Sequence, residues 1–130
     1  MAAGKYNFTI EQGATLDFEI RYTDSNSVPV DLTGYTARMQ IRQKKESTTS
    51  YISLSSTLNS YGTGLNMSGS AGDKSPVSGS IGVYIAAVDS ALLNFSRAVY
   101  DLEIVSGSGD NAVVTRLLEG KIKLSKEVTR

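Results

Sequence analysis

The chain is expected to fold as an all-β, antiparallel sandwich of seven to eight short strands with one short helix, and three observations predict it. Apolar and polar residues alternate with a period of two in at least five separate runs. Those runs are separated by clusters of Gly, Asn, Asp and Ser. Only one stretch, Val88-Asp89-Ser90-Ala91-Leu92-Leu93-Asn94-Phe95, has helical character. At 130 residues, 40% hydrophobic and 20% charged, the chain has the size and composition of a single domain spanning 1–130.

The clearest strand is Thr15-Leu16-Asp17-Phe18-Glu19-Ile20-Arg21-Tyr22. Successive strand side chains point to opposite faces, so Leu16, Phe18, Ile20 and Tyr22 are assigned to the core and Asp17, Glu19 and Arg21 to solvent. Phe8 and Ile10 give a shorter run before Gly13. Tyr35, Met39 and Ile41 alternate with Thr36, Arg38, Gln40 and Arg42. Ile81, Val83 and Ile85 form a further set, with Tyr84 on the outward phase. Tyr100, Leu102 and Ile104 alternate with Asp101 and Glu103, and Ile122 and Leu124 with Lys121, Lys123 and Ser125.

Weaker strands are expected at Tyr51–Leu54 and Leu65–Ser68. The runs at about 98–105 and 112–125 are read as a hairpin closed by Gly107-Ser108-Gly109-Asp110-Asn111, with Gly120 marking a bulge. Asp89 is expected to cap the short helix, with Leu92, Leu93 and Phe95 folded under one end of the sandwich. Residues 43–80 are rich in Ser, Thr, Gly and Asn and are expected to be a long, mobile polar loop or hairpin that serves as a contact surface. Together the elements predict an immunoglobulin-like arrangement.

The inventory of side chains narrows the function. There is no histidine, cysteine or tryptophan, which removes Ser-His and Cys-His catalysis and the usual imidazole and thiolate zinc sites. Asp17 with Glu19, and Asp101 with Glu103, are carboxylate pairs two residues apart, but solvent-facing positions would raise neither pKa. The chain is therefore read as non-enzymatic, with no cofactor and no metal. Asp24-Ser25-Asn26 opens like a calcium loop, yet Val28 stands where an oxygen ligand is needed, so it is read as a turn. Gly62-Thr63-Gly64 lacks the third glycine and the lysine of a phosphate cradle.

Thirteen basic residues balance thirteen acidic ones, so the net charge is zero and nucleic acid is not an expected partner. No segment has the length and apolarity of a signal peptide or a membrane span, which predicts synthesis in a cytoplasm and no membrane contact. Candidate protein-contact residues are the basic group Arg38, Arg42, Lys44 and Lys45, together with Tyr51, Tyr61 and Tyr84.

Gly13-Ala14-Thr15-Leu16, the strand after it, and Val28-Pro29-Val30-Asp31-Leu32-Thr33-Gly34-Tyr35-Thr36-Ala37 leading into Met39-Gln40-Ile41-Arg42 resemble small sandwich domains in the virions of tailed bacteriophages. The resemblance continues through Gly79-Ser80-Ile81-Gly82-Val83, Ala98-Val99-Tyr100-Asp101-Leu102-Glu103-Ile104 and Arg116-Leu117-Leu118-Glu119-Gly120-Lys121-Ile122. It implies a structural virion protein of the tail-collar, fibre-attachment or baseplate type. The expected partners are further copies of itself, in a homo-oligomeric ring, and neighbouring virion proteins. Alternatives are a carbohydrate-binding or adhesion module, for which the tyrosines could stack on sugar, and a capsid decoration protein.

Overall fold

The computed structural model describes residues 4–69, 78–107 and 111–128. Two sheets face one another across one core. The larger contains β1 (Gly4–Lys5), β2 (Phe8–Glu11), β4 (Tyr35–Arg42), β5 (Ile52–Ser55), β8 (Arg97–Ser106) and β9 (Val113–Ser125). Its order is β1-β9-β8-β4-β5, with β2 continuing the edge that β1 begins on β9. The smaller sheet has the order β3-β7-β6, from Leu16–Arg21, Ser80–Ile85 and Gly64–Asn66. A four-residue helix, α1 (Ala87–Ser90), follows β7.

The expected all-β sandwich is what forms, with two corrections. Nine strands are present among the described residues rather than seven or eight. The ladder is also not wholly antiparallel, because β1 and β2 both run parallel to β9, Gly4 opposite Leu118 and Phe8 opposite Ile122. The period-two patterns place the core as read. Ala37, Met39 and Ile41 on β4 are buried against Leu102 and Ile104 on β8, Ile81, Val83 and Ile85 on β7, and Ile122 and Leu124 on β9. Each of these Val, Leu, Ile and Met side chains contributes about 1.5–3 kcal/mol when removed from water.

Residues 43–80 are not one long loop. They carry β5, β6 and the first residue of β7, and they supply Leu54 and Leu65 to the core. The weaker strands expected at Tyr51–Leu54 and Leu65–Ser68 form with shifted bounds, as Ile52–Ser55 and Gly64–Asn66, since so short a strand shows only one or two inward positions to fix its ends. The link between β5 and β6 is held by Asn59, whose side-chain oxygen accepts from the Tyr61 and Thr63 amides at 2.9 and 3.0 Å. Residues 70–77 of the expected loop lie outside the described residues, as do 108–110 of the hairpin turn.

α1 also differs from expectation. It is shorter than 88–95, and Ala86 stands at its N-cap without a side-chain bond. Asp89 instead accepts from the Thr63 hydroxyl and from Asn59 Nδ2, tying the helix to the β5–β6 link. Leu93 and Phe95 fold under the end of the sandwich as read, but Leu92 points outward and is 80% exposed. Ser90 is buried and bonds the 13–14 backbone in both directions, accepting from Gly13 N and donating to Ala14 O.

Gly120 does not mark a bulge. The register shift lies between Leu102 and Glu103 on β8, where β9 fits Leu117 as an extra residue between Arg116 and Leu118. At Gly120 the N-terminal strand crosses β9 instead, and a Cβ there would stand 2.1 Å from the Tyr6 carbonyl oxygen. Tyr100 is the cross-strand partner of Gly120, and its hydroxyl donates to that same carbonyl at 2.6 Å. Asn7 Oδ1 accepts from the Lys121 amide, closing the gap between β1 and β2.

Gly120→Ala should therefore push the β1–β2 edge off β9 and destabilise the fold by about 2–4 kcal/mol. Tyr100→Phe, which keeps the ring and removes the bond, should cost about 1–1.5 kcal/mol. Urea unfolding of both variants checks this; an alanine variant as stable as the parent would mean that the crossing is not required.

Candidate interaction surfaces

Outward side chains of the larger sheet form a charged face, and the register decides which charges meet. Arg38 on β4 lies opposite Glu103 on β8, and its Nε donates to the carboxylate at 2.8 Å. Arg116 on β9 reaches Asp101 at 3.5 Å and Glu119 at 3.8 Å. Lys45 reaches Glu119 at 3.4 Å. Arg42 bonds the Gln40 side chain at 2.6 Å and the Ser47 carbonyl at 2.9 Å. The basic group read from sequence thus divides: Arg38 and Lys45 are spent on carboxylates of the same chain and Arg42 braces a turn. The Lys44 side chain is exposed.

Asp101 and Glu103 do not sit in open solvent as the sequence reading supposed. Asp101 lies at the floor of a cavity of about 270 Å³ whose walls include Arg42, Lys45, Arg116 and Glu119. Partial burial raises its pKa above the ordinary value, and the neighbouring Glu103 and Glu119 add to that, while Arg116 and Lys45 oppose it. The cavity holds as many carboxylates as cations, so it is an ion-pair cluster with an unfavourable proton balance at Asp101.

Beside this cluster the same face changes character. Arg97, Lys121 and Lys123 rim a second groove of about 520 Å³, floored by Phe8, Ala98, Val99 and Ile122. No carboxylate lines it. Arg97 and Lys123 stand directly opposite one another on β8 and β9, a like-charge pair that costs stability in a sheet. The sequence reading missed this groove, although the Lys121-Ile122-Lys123 alternation was in view, because Arg97 joins it only through the β8–β9 register.

The three tyrosines do not converge. Tyr51 stacks on Phe95 with ring centroids 4.6 Å apart, which makes it part of the packing at one end of the sandwich. Tyr61 is 59% exposed and shares a shallow depression of about 250 Å³ on the smaller sheet with Leu58, Asn66 and the outward, half-buried Tyr84. Asp24 Oδ1 accepts from the Asn26 and Val28 amides, so the look-alike of a calcium loop is a closed turn. Among the described residues no three acidic side chains gather to hold a metal, and no helix is long and apolar enough to cross a membrane.

The sign of the Asp101 shift gives a pH prediction. A carboxyl with a raised folded-state pKa holds its proton more tightly when folded, so its ionisation costs stability above that pKa and nothing below the unfolded one. Asp101→Asn should raise Tm by about 1–2 °C at pH 7, a gain kept small by solvent screening. That gain should disappear below the ordinary carboxyl value of 3.8. Thermal melts of both proteins across pH 3–7 check it; a loss of stability at pH 7 would show that the Arg116 pair dominates.

No protein-family model matches the chain, and no curated protein matches it.

Proposed function

We propose that this chain is a structural protein of a tailed-phage virion, a collar, neck, tail or baseplate subunit, or one that docks fibres, working through protein–protein contacts. The observation that carries the reading is how the chain uses its polar groups. Gln12, Ser90, Asp89, Asn59 and Thr63 bond turns, termini and helix to one another, which stiffens the domain. Charges on the larger sheet pair with each other or rim an open groove. Large apolar groups stand outside the core at Leu92 and at Val113, 62% exposed. A rigid body with exposed apolar and segregated charged patches suits docking against other proteins, and the sequence resemblance supplies the virion setting. Mass spectrometry of particles purified from the source phage should find the polypeptide at stoichiometric abundance; its absence would refute the assignment.

The depression formed by Tyr61, Tyr84, Leu58 and Asn66 favours a second reading, a carbohydrate-binding or adhesion module. Two tyrosines and an amide beside a shallow surface are groups that stack on and hydrogen-bond a sugar ring. On that reading a glycan array should give millimolar or tighter binding that Tyr61→Ala abolishes. An array with no ligand, or binding indifferent to Tyr61→Ala, would remove it.

A further inference from the structure

The register of β9 sorts the outer face of the larger sheet into rows of unequal charge. Thr9, Lys123 and Arg97 stand side by side on β2, β9 and β8. One outward position further along, about 6.6–6.8 Å away, Lys121 lies beside Val99, with Arg42 beyond it on β4. The next row holds Glu119 and Asp101, and past the opposite end Glu11 faces Ser125. Arg97, Lys121 and Lys123 thus occupy a short basic field with acids beyond both ends, and they rim the groove of about 520 Å³ that no carboxylate lines.

Among the described residues none of these three bases forms an ion pair. Arg97 and Lys123 face one another directly and repel, so the sheet gives up stability to keep both. An anion set between them turns one repulsion into two attractions.

We propose that the groove binds an extended acidic segment of a partner protein, one carboxylate set between Arg97 and Lys123 and a second, two residues along, on Lys121. The inference rests on the reading of the chain as a unit that works through protein contacts, and it supplies the chemistry of one partner. Spacing carries the match: alternate side chains of an extended segment fall on one side about 6.6–6.8 Å apart, the interval from Lys121 to Lys123. Height carries it too. The cross-strand neighbours of the lysines include Thr9 on β2 and Val99 on β8, short side chains that leave the ammonium groups and Arg97 standing above them. The Arg97 guanidinium can take a carboxylate through two N–H donors at once.

The same layout argues against nucleic acid. A phosphate backbone carries charge without interruption, so it would run off the bases onto Glu119 and Asp101 at one end or Glu11 at the other. Two carboxylates two residues apart stop short of both. Phe8, the aromatic residue of the lining, turns its ring onto Tyr100 and Phe18, so the groove offers no ring for a base to stack on.

The test is an NMR titration of the full isotope-labelled chain with a synthetic peptide, Gly-Ser-Thr-Asp-Val-Asp-Thr-Ser-Gly, and with the same peptide carrying Asn for both Asp. Amide shifts should cluster at Thr9, Arg97, Val99, Lys121 and Lys123. The acidic peptide should bind on the order of tenfold tighter than the amide one, and the difference should shrink as salt rises. Lys121→Gln with Lys123→Gln should weaken binding on the order of tenfold, and Arg97→Gln about threefold to fivefold. Arg21→Gln with Lys44→Gln removes the same charge from positions outside the groove and should leave affinity within about twofold. All five side chains are exposed, and circular dichroism confirms that the variants fold. Lys123→Gln alone should raise Tm by about 1–3 °C while it weakens binding, because it removes the like-charge pair.

Equal binding of the two peptides, or shifts that fall elsewhere on the surface, would overturn the proposal. So would full affinity in the double lysine variant, or a Lys123→Gln variant that melts lower, which would make that lysine a support of the fold. An oligodeoxythymidine that binds the groove more tightly than the acidic peptide would overturn the choice of partner in favour of nucleic acid. None of these outcomes bears on the particle measurement, so the virion reading stands or falls separately.

Discussion

The N-terminal strand lies where it does because residue 120 has no side chain. β1 and β2 are one edge broken at Tyr6 and Asn7, and the break falls where Tyr6 passes over β9 at Gly120. Tyr100 fills the space beneath the glycine and bonds the carbonyl of the passing residue. Its ring then meets Phe8 at 5.1 Å, Phe8 meets Phe18 at 5.1 Å, and Tyr6 meets Phe18 at 5.8 Å. That aromatic chain links an edge of the larger sheet to an edge of the smaller one, so the crossing at Gly120 decides how the sandwich shuts on that side. Burial, with a further contribution from the neighbouring Tyr6 hydroxyl, pushes the Tyr100 hydroxyl well above the ordinary phenol range, so it stays a donor throughout the neutral range.

The far end of the sandwich is secured differently, by side-chain amides and hydroxyls in place of aromatic packing. Gln12 donates to the Leu93 carbonyl and accepts from the Glu127 amide, joining the β2–β3 turn to the segment after α1 and to the end of the chain. Hydrogen bonds from Thr63 and Asn59 hold the Asp89 carboxyl below its ordinary pKa. Asp89 therefore works as a fixed negative acceptor between two loops, and a helix of four residues needs such support because it has too few internal bonds to persist alone.

Much of this was legible in the sequence, and the failures share a cause. Wherever alternation ran for six residues or more, as in β3, β4, β8 and β9, inward and outward positions were read correctly. The short strands β5 and β6 were legible only as weak runs with displaced ends, because their Leu54 and Leu65 are isolated apolar positions in a polar background. Gly120 was noticed for the right residue and the wrong reason, since a glycine in a strand marks either a bulge or a close approach and only the partner chain segment tells which. Leu92 was placed inside because helical periodicity was extended past a helix that ends at Ser90. Asp101 looked solvent-exposed by phase, and so it is by direction, but its neighbours across two strands shut out part of the water.

Those neighbours also explain why the charged face divides into a quiet half and an active one. Arg38, Arg116 and Lys45 stand close enough to Glu103, Asp101 and Glu119 to neutralise them within the chain, and exposed pairs of this kind contribute little to stability. Arg97, Lys121 and Lys123 have no acidic neighbour in their groove, even though the whole chain carries equal numbers of acids and bases. Charge that is balanced over the molecule but unbalanced face by face creates a dipolar body, with a local field near each face even where the net charge is zero. A neutral chain arranged this way gains nothing from binding a uniform polyanion such as nucleic acid along its whole surface. It gains most from a neighbour that brings acidic groups to the one groove where Arg97, Lys121 and Lys123 meet no carboxylate.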